Sequence, residues 1–198
     1  MKKQNYPILE FDSNPEAIFG PGDMYKEKEA PSKAVICFFG NLLQEMYENG
    51  QLTLLRNIRS EMGLHPLYLY QHKSETVLLF HPGVGAPLAA AILEETIQLG
   101  ASIFIVCGGC GVLDYHLDVG HPVIPTAAVR DEGTSYHYLP PSREVEPHPL
   151  AIDALKTTLH QKGLAYHLTK TWTTDAIYRE TLDKRALRIE EGCDVVEM

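Results

Sequence analysis

The chain has 198 residues, enough to bury one sizeable core within a single domain. Its formal net charge of −9 makes nucleic acid and anionic membrane surfaces poor partners, because an acidic chain repels polyanions. No run of about 18 apolar residues is present to span a membrane, and Gln4, Asn5 and Glu10 break any signal-like stretch after Met1-Lys2-Lys3, so a cytoplasmic location is expected.

Residues 1–31 read as an irregular segment, punctuated by Pro7, Pro15, Pro21 and Pro31. Lys33 to Phe39 is an apolar run of strand character. Asn41 to Asn49 reads as a short helix stopped by Gly50. Leu52 to Glu61 reads as a second helix with Gly63 behind it. Thr76 to His81 is the next strand. Pro87 suits a first helical turn, Leu88, Ile92 and Leu99 share a face, and Gly100 supplies a left-handed stop. Ser102 to Cys107 is again a continuous apolar strand. His121 to Val129 carries Pro122 and Pro125, which lack a donor for the ladder, so this strand should be bulged or lie partly at an edge. Pro149 to Lys162 reads as a helix, Leu164 to Trp172 as a strand, Lys184 to Glu191 as a helix and Cys193 to Val196 as a last strand. Apolar strands alternating with amphipathic helices predict a three-layer α/β fold around a mixed, mainly parallel sheet.

Three glycine turns follow predicted strands: Gly40, Gly83-Val84-Gly85, and Gly108-Gly109-Cys110-Gly111. In an open α/β sheet ligands bind outside the carboxyl ends of strands, where glycine lets a ligand reach the backbone. Any one of these is equally well a tight strand exit; three at one edge predict a pocket. A dinucleotide fingerprint fits poorly, because Leu88 stands where a third glycine belongs, and no phosphate-binding lysine loop is present. Cys107 and Cys110 have the CxxC spacing of zinc and redox sites. There is no second CxxC or HxxxH pair to complete a zinc site, so no metal is expected and the four cysteines read as free thiols. Two polar segments follow strands. Arg130 to Tyr138 reads as a binding rim or else a solvated loop or oligomer contact. Thr173 to Thr181 sets Tyr178 beside Arg179, a floor for a flat base or else a helix cap headed by Asp175.

Taken in order, several segments resemble purine and uridine nucleoside phosphorylases. They are Gly83-Val-Gly-Ala-Pro-Leu-Ala-Ala, Leu99-Gly-Ala-Ser-Ile-Phe-Ile, Gly108-Gly-Cys-Gly, Asp118-Val-Gly-His-Pro-Val-Ile, Arg130-Asp-Glu-Gly-Thr-Ser, Thr174-Asp-Ala-Ile-Tyr and Val196-Glu-Met. The resemblance runs from about Val77 to Met198. It implies reversible cleavage of a nucleoside N-glycosidic bond by phosphate, with phosphate as co-substrate and no other cofactor. It also implies a homo-oligomer, dimer or hexamer, and a domain over 1–198 whose last part lies beyond Met198. By resemblance Cys110 and Gly111 contact the base, Ile177 and Tyr178 wall it, and Glu197 and Met198 begin a Glu-Met-Glu ribose motif. Gly40, Gly109, Arg130 and Arg179 are the candidates for phosphate or another anion, and no catalytic residue is assigned. The chain departs from the pattern where the family places a phosphate-binding Arg and Thr: here stand Val106 and Gly109. Those departures keep two alternatives open, a nucleosidase that uses water and a nucleoside-binding or base-binding module without turnover.

Overall fold

The run from Lys33 to Cys37 is apolar at nearly every position because both of its faces are covered. In the computed structural model, which describes residues 2–198, the chain forms two compact units, one of residues 13–109 and one of residues 2–12 with 110–198.

The first unit is built on five strands: β1 (Lys33–Cys37), β2 (Leu52–Ser60), β3 (Gly63–His72), β4 (Glu75–Phe80) and β5 (Ile103–Cys107). Their spatial order is β2-β3-β4-β1-β5. β1 runs parallel to both β4 and β5, while β2, β3 and β4 form an antiparallel meander. Three helices accompany them: α1 (Pro21–Met24), α2 (Gly40–Glu48) and α3 (Ala86–Gln98). Side chains alternate across a strand, and the core divides accordingly. Ala34, Ile36, Leu67, Leu78 and Phe80 pack with Ile92 and Leu99 from the region of α3. Cys37, Tyr68 and Leu79 pack on the other face with Leu43 and Met46 of α2. This unit therefore has the predicted helix–sheet–helix layering. Pro87 sits in the first turn of α3 as expected. Gly100 ends that helix with φ 124°, and a Cβ there would lie 2.9 Å from the Ala30 carbonyl oxygen.

One expected helix is a strand. Leu52–Ser60 is β2, joined to β3 by a tight turn, and Gly63 opens β3 rather than closing a helix. The leucines mimic helical spacing because the strand is bulged: Leu54 pairs with Tyr68 and Arg56 with Leu67, which leaves Leu55 unopposed. The extra residue reverses the alternation, so Leu52 packs in the α2-side cluster and Ile58 in the α3-side cluster.

The second unit carries β6 (Gly111–Val112), β7 (Val123–Asp131), β8 (Glu144–Val145), β9 (His167–Thr174) and β10 (Cys193–Glu197), in spatial order β6-β10-β9-β7-β8. The three central strands are parallel and both edges are antiparallel. The proline-bearing β7 is bulged as expected, its register against β9 shifting between Pro125 and Ala127. Helices α4 (Pro149–Gln161) and α5 (Leu182–Glu190) belong to this unit, and Thr181 caps α5 by accepting from the Lys184 N–H. Leu113, Val129, Trp172, Cys193 and Val196 form its core, with Ile189 of α5 packed against them.

Candidate functional site

In residues 13–109, the parallel set β4, β1 and β5 brings three carboxyl ends to one edge, since Ile36 is level with Phe80 and Cys37 with Cys107. Whereas Cys110 and Gly111, the rest of the last predicted turn, belong to the other unit, Gly83-Val84-Gly85, Gly40 and Gly108-Gly109 leave the sheet at that edge. Between them stand two rings that sequence reasoning passed over. Phe38 and His81 meet edge to face at 5.7 Å. The Gly83 N–H donates to His81 Nδ1 at 3.0 Å, which leaves the ring's proton on Nε2. Gly40 is the first residue of α2, whose preceding residue Phe39 offers no side-chain cap, so the first N–H groups of the helix are available to an anion. Gly109 has open space around its Cα, and Val106 on β5 is 59% exposed.

In the second unit, the carboxyl ends of β9 and β10 gather the residues picked for base and sugar. Gly111 lies opposite Val196 across the β6–β10 pair, and a side chain on it would meet Val196 Cγ1 at 3.1 Å. A larger residue here would need the Val196 side chain to give by a few tenths of an ångström. Cys110 precedes it, exposed, its thiol pKa raised by burial and then by the negative charge of Glu197. Glu197 is level with Thr173. Its carboxylate accepts from the hydroxyl of Thr173 and, at 3.5 Å, from that of Thr171. Burial still raises its pKa above the usual carboxylate value, against those two hydrogen bonds and with the charge of Glu132 adding to the rise. Met198 follows and is half-buried.

Ile177, Tyr178 and Arg179 form a single 3-10 turn after β9. All three are exposed, Tyr178 to 95%. The turn is held by Asp175, whose carboxylate accepts from the Gly133 N–H at 2.9 Å and so ties it to the Arg130–Tyr138 segment. Arg130 itself does not join this group. It is buried, stacked 4.2 Å over Tyr136, and donates to Ser135 Oγ, Ser142 Oγ and the carbonyls of Pro140 and Leu139. In this arrangement its guanidinium is engaged by the hydroxyls and carbonyls of its own loop.

Sequence reasoning also missed the polar centre next to this edge. Trp172, fully buried, donates its indole N–H to Asp131 at 3.0 Å, and Lys184 and Arg188 reach the same carboxylate oxygen at 3.3 Å. Burial opposes the charge on Asp131, but hydrogen bonds from Trp172, Lys184 and Arg188 outweigh it and hold the carboxyl below its usual range. These partners lie 41 to 57 residues away, and no local pattern signals them. The four cysteines are free thiols. Cys107 and Cys193 are each pushed up to about 11, chiefly by burial, and so stay protonated at neutral pH.

Comparison with known proteins adds to this geometry. The family model described as "Phosphorylase superfamily" matches residues 33–198. A guanosine phosphorylase of Halorubrum lacusprofundi is 32% identical over 99 residues, 50% of this chain and 41% of that protein. Uridine phosphorylases of Thermococcus kodakarensis and Treponema pallidum are 33% and 39% identical over 113 and 102 residues, 54% and 52% of this chain. The matches span about two fifths of these relatives' length, 39% and 40% for the last two. Among solved structures, the purine nucleoside phosphorylase of Toxoplasma gondii in complex with immucillin-H superposes with a TM-score of 0.74 at 22% identity, covering 85% of this chain and 68% of that one. A uridine phosphorylase of Vibrio fischeri gives 0.75 at 20% identity, covering 86% and 70%. These two likenesses carry the fold.

Proposed function

The chain belongs to the phosphorylase superfamily, and we propose that within it the protein is a nucleoside phosphorylase, cleaving the N-glycosidic bond of a purine or pyrimidine nucleoside with phosphate to release free base and ribose 1-phosphate. The observation that carries this reading is Glu197, a half-buried carboxylate held by Thr171 and Thr173 at the end of β10, with Gly111 paired to the preceding Val196 across β6–β10, Cys110 before Gly111, and Met198 following. Such cleavage passes through a sugar with oxocarbenium character, while negative charge collects on the departing base. Met198 supplies an apolar surface for the sugar. Glu197 supplies negative charge in a site partly withdrawn from water, where it acts more strongly on a cationic sugar than it would in solvent. Cys110, Gly111, Ile177 and Tyr178 serve the flat base, Tyr178 by stacking. Phosphate, the co-substrate, draws on the backbone N–H groups at Gly40 and Gly109, and Arg179 is the exposed cation beside the base wall. The reading includes a cytoplasmic homo-oligomer, a dimer or hexamer.

A specific feature favours a second reading. Val106 and Gly109 bring neither a cation nor a hydroxyl to the exit of β5, where the family pattern has an Arg and a Thr. Water then replaces phosphate as nucleophile, or the protein binds without turnover. The test is release of free base from uridine, inosine, guanosine and adenosine, each with and without phosphate. Release that requires phosphate supports the phosphorylase. Equal release without phosphate assigns hydrolysis, and tight binding with no release in either arm leaves a binding module.

A further inference from the structure

At the amino-terminal ends of β9 and β10, three side chains that the proposed reaction does not use converge. His167 is the first residue of β9, Asp194 the second of β10, and His116 lies in the loop after β6. His167 Nε2 is 2.8 Å from Asp194 Oδ2, and His116 Nε2 is 3.9 Å from the same oxygen. The two imidazoles meet edge to face at 5.2 Å. One nitrogen of each ring and one carboxylate oxygen all lie within 4.8 Å of one another. This is the opposite end of the β9–β10 pair from Glu197, which stands three residues further along β10, about 10 Å at the rise of a strand.

We propose that His116, His167 and Asp194 form a binding site for a divalent transition-metal ion of borderline softness, zinc above all. Two imidazoles and one carboxylate are a set of three protein ligands that such ions accept, with the fourth position left to water or an incoming group. Magnesium and calcium, which prefer all-oxygen surroundings, fit this set poorly. A second observation points the same way. His116 Nδ1 lies 3.1 Å from Asp114 Oδ1, so that carboxylate fixes the ring's proton on Nδ1 and turns the bare Nε2 toward Asp194 and His167. An outer carboxylate orienting a histidine is the usual partner of a metal-bound imidazole. Zinc–nitrogen bonds of about 2.0–2.1 Å require the ligand atoms to draw closer together than 4.8 Å. His116 can supply most of that movement, since its side chain is 48% exposed on a loop whereas His167 and Asp194 start from paired strands. The ion ties residues 114–116 to the beginnings of two central strands of the sheet. The site was invisible in sequence because its ligands are separated by 51 and 27 residues and form no short motif.

The proposal is independent of the reaction assigned above, and its readout is binding. The full chain, stripped with chelator and free of any histidine tag, is titrated with zinc by calorimetry, and thermal unfolding is followed with and without the metal. One equivalent of zinc should bind and raise the unfolding temperature, because an ion that binds only the folded state stabilises it. Cobalt in its place should give the visible absorption of a tetrahedral centre. H116A, which lies on the exposed loop and leaves both strands untouched, should abolish stoichiometric uptake with an unchanged far-ultraviolet spectrum. Asp114→Asn should weaken binding by about tenfold to a hundredfold while keeping the stoichiometry. A chain with Cys107 and Cys110 both changed to Ser should bind as the parent does. Absence of stoichiometric binding, or uptake that survives H116A and vanishes with the two cysteines, would overturn the proposal.

Discussion

Asp131 is the group whose removal should tell most about the second unit. Asp131→Ala deletes the acceptor for the indole N–H of Trp172, a donor with no exposure to water. Leaving such a donor unpaired costs about 1–3 kcal/mol. It also strips one of two carboxylates from Arg188, whose side chain is 6% exposed and which keeps Glu191 at 2.7 Å, a further ~1 kcal/mol. The Lys184 contact adds little, since that side chain is 41% exposed and solvent screens it. The sum is about 3 kcal/mol, a large part of the stability of an ordinary domain. Asp131→Asn keeps a carbonyl for the indole and should lose about half as much, and Lys184→Ala less than ~0.5 kcal/mol. Trp172 is the only tryptophan, so urea unfolding followed by its fluorescence reads this locus directly. The pH dependence has a fixed sign. The folded-state pKa of Asp131 lies below its unfolded value of about 3.9, so its contribution is present above that value and is lost as pH falls through the folded one. The gap between wild type and D131A should therefore close in acid. An unchanged unfolding midpoint for D131A at neutral pH, or a K184A loss equal to that of D131A, would refute the reasoning.

Three more outcomes are expected. For Glu197 the sign is opposite: its folded-state pKa is raised, so the stability linked to it is present below the unfolded value and lost as pH rises through the folded one. Glu197→Gln should be more stable than wild type at neutral pH, should lose that advantage on acidification, and should slow base release; urea midpoints at two pH values and the release assay check this. Gly83→Ala should destabilise by about 1–3 kcal/mol, because φ is 83° and a Cβ would lie 2.3 Å from Leu88 Cδ2; an unaltered midpoint contradicts it. Tyr178→Ala should leave stability within about 0.5 kcal/mol, since the ring is 95% exposed, yet raise the KM for nucleoside, and an unmoved KM would remove Tyr178 from the base wall.

The parallel strands and the helices after them were legible because their signals are local: apolar runs, Pro87 in a first turn, Gly100 at a stop. β2 was not, because its bulge reversed the face of Ile58 relative to Leu52 and erased the period-two pattern. The glycine turns could be placed at one edge because parallel strands bring their carboxyl ends together. The arginines could not be sorted. Arg130 and Arg179 look alike in sequence, yet the first is buried under its own loop's carbonyls and hydroxyls and the second lies on an exposed turn. His81, Asp131 and His116 owe their places to partners that only the folded chain brings near.

Residues 2–12 belong with residues 110–198 and not with the stretch that follows them. Their short turn Pro7–Leu9 meets the turn Thr134–His137, and a Cβ at Gly133 would lie 3.6 Å from Ile8 Cδ1. On a ribosome this leading segment emerges well before the surface it rests on. At about 5–20 residues per second it stays unpartnered for about 6–25 s. Residues 13–109, by contrast, are contiguous and have every strand of their sheet in hand as soon as β5 emerges. Synthesis thus orders the assembly: residues 13–109 can close on their own contacts while residues 2–12 wait for the later segment that receives them.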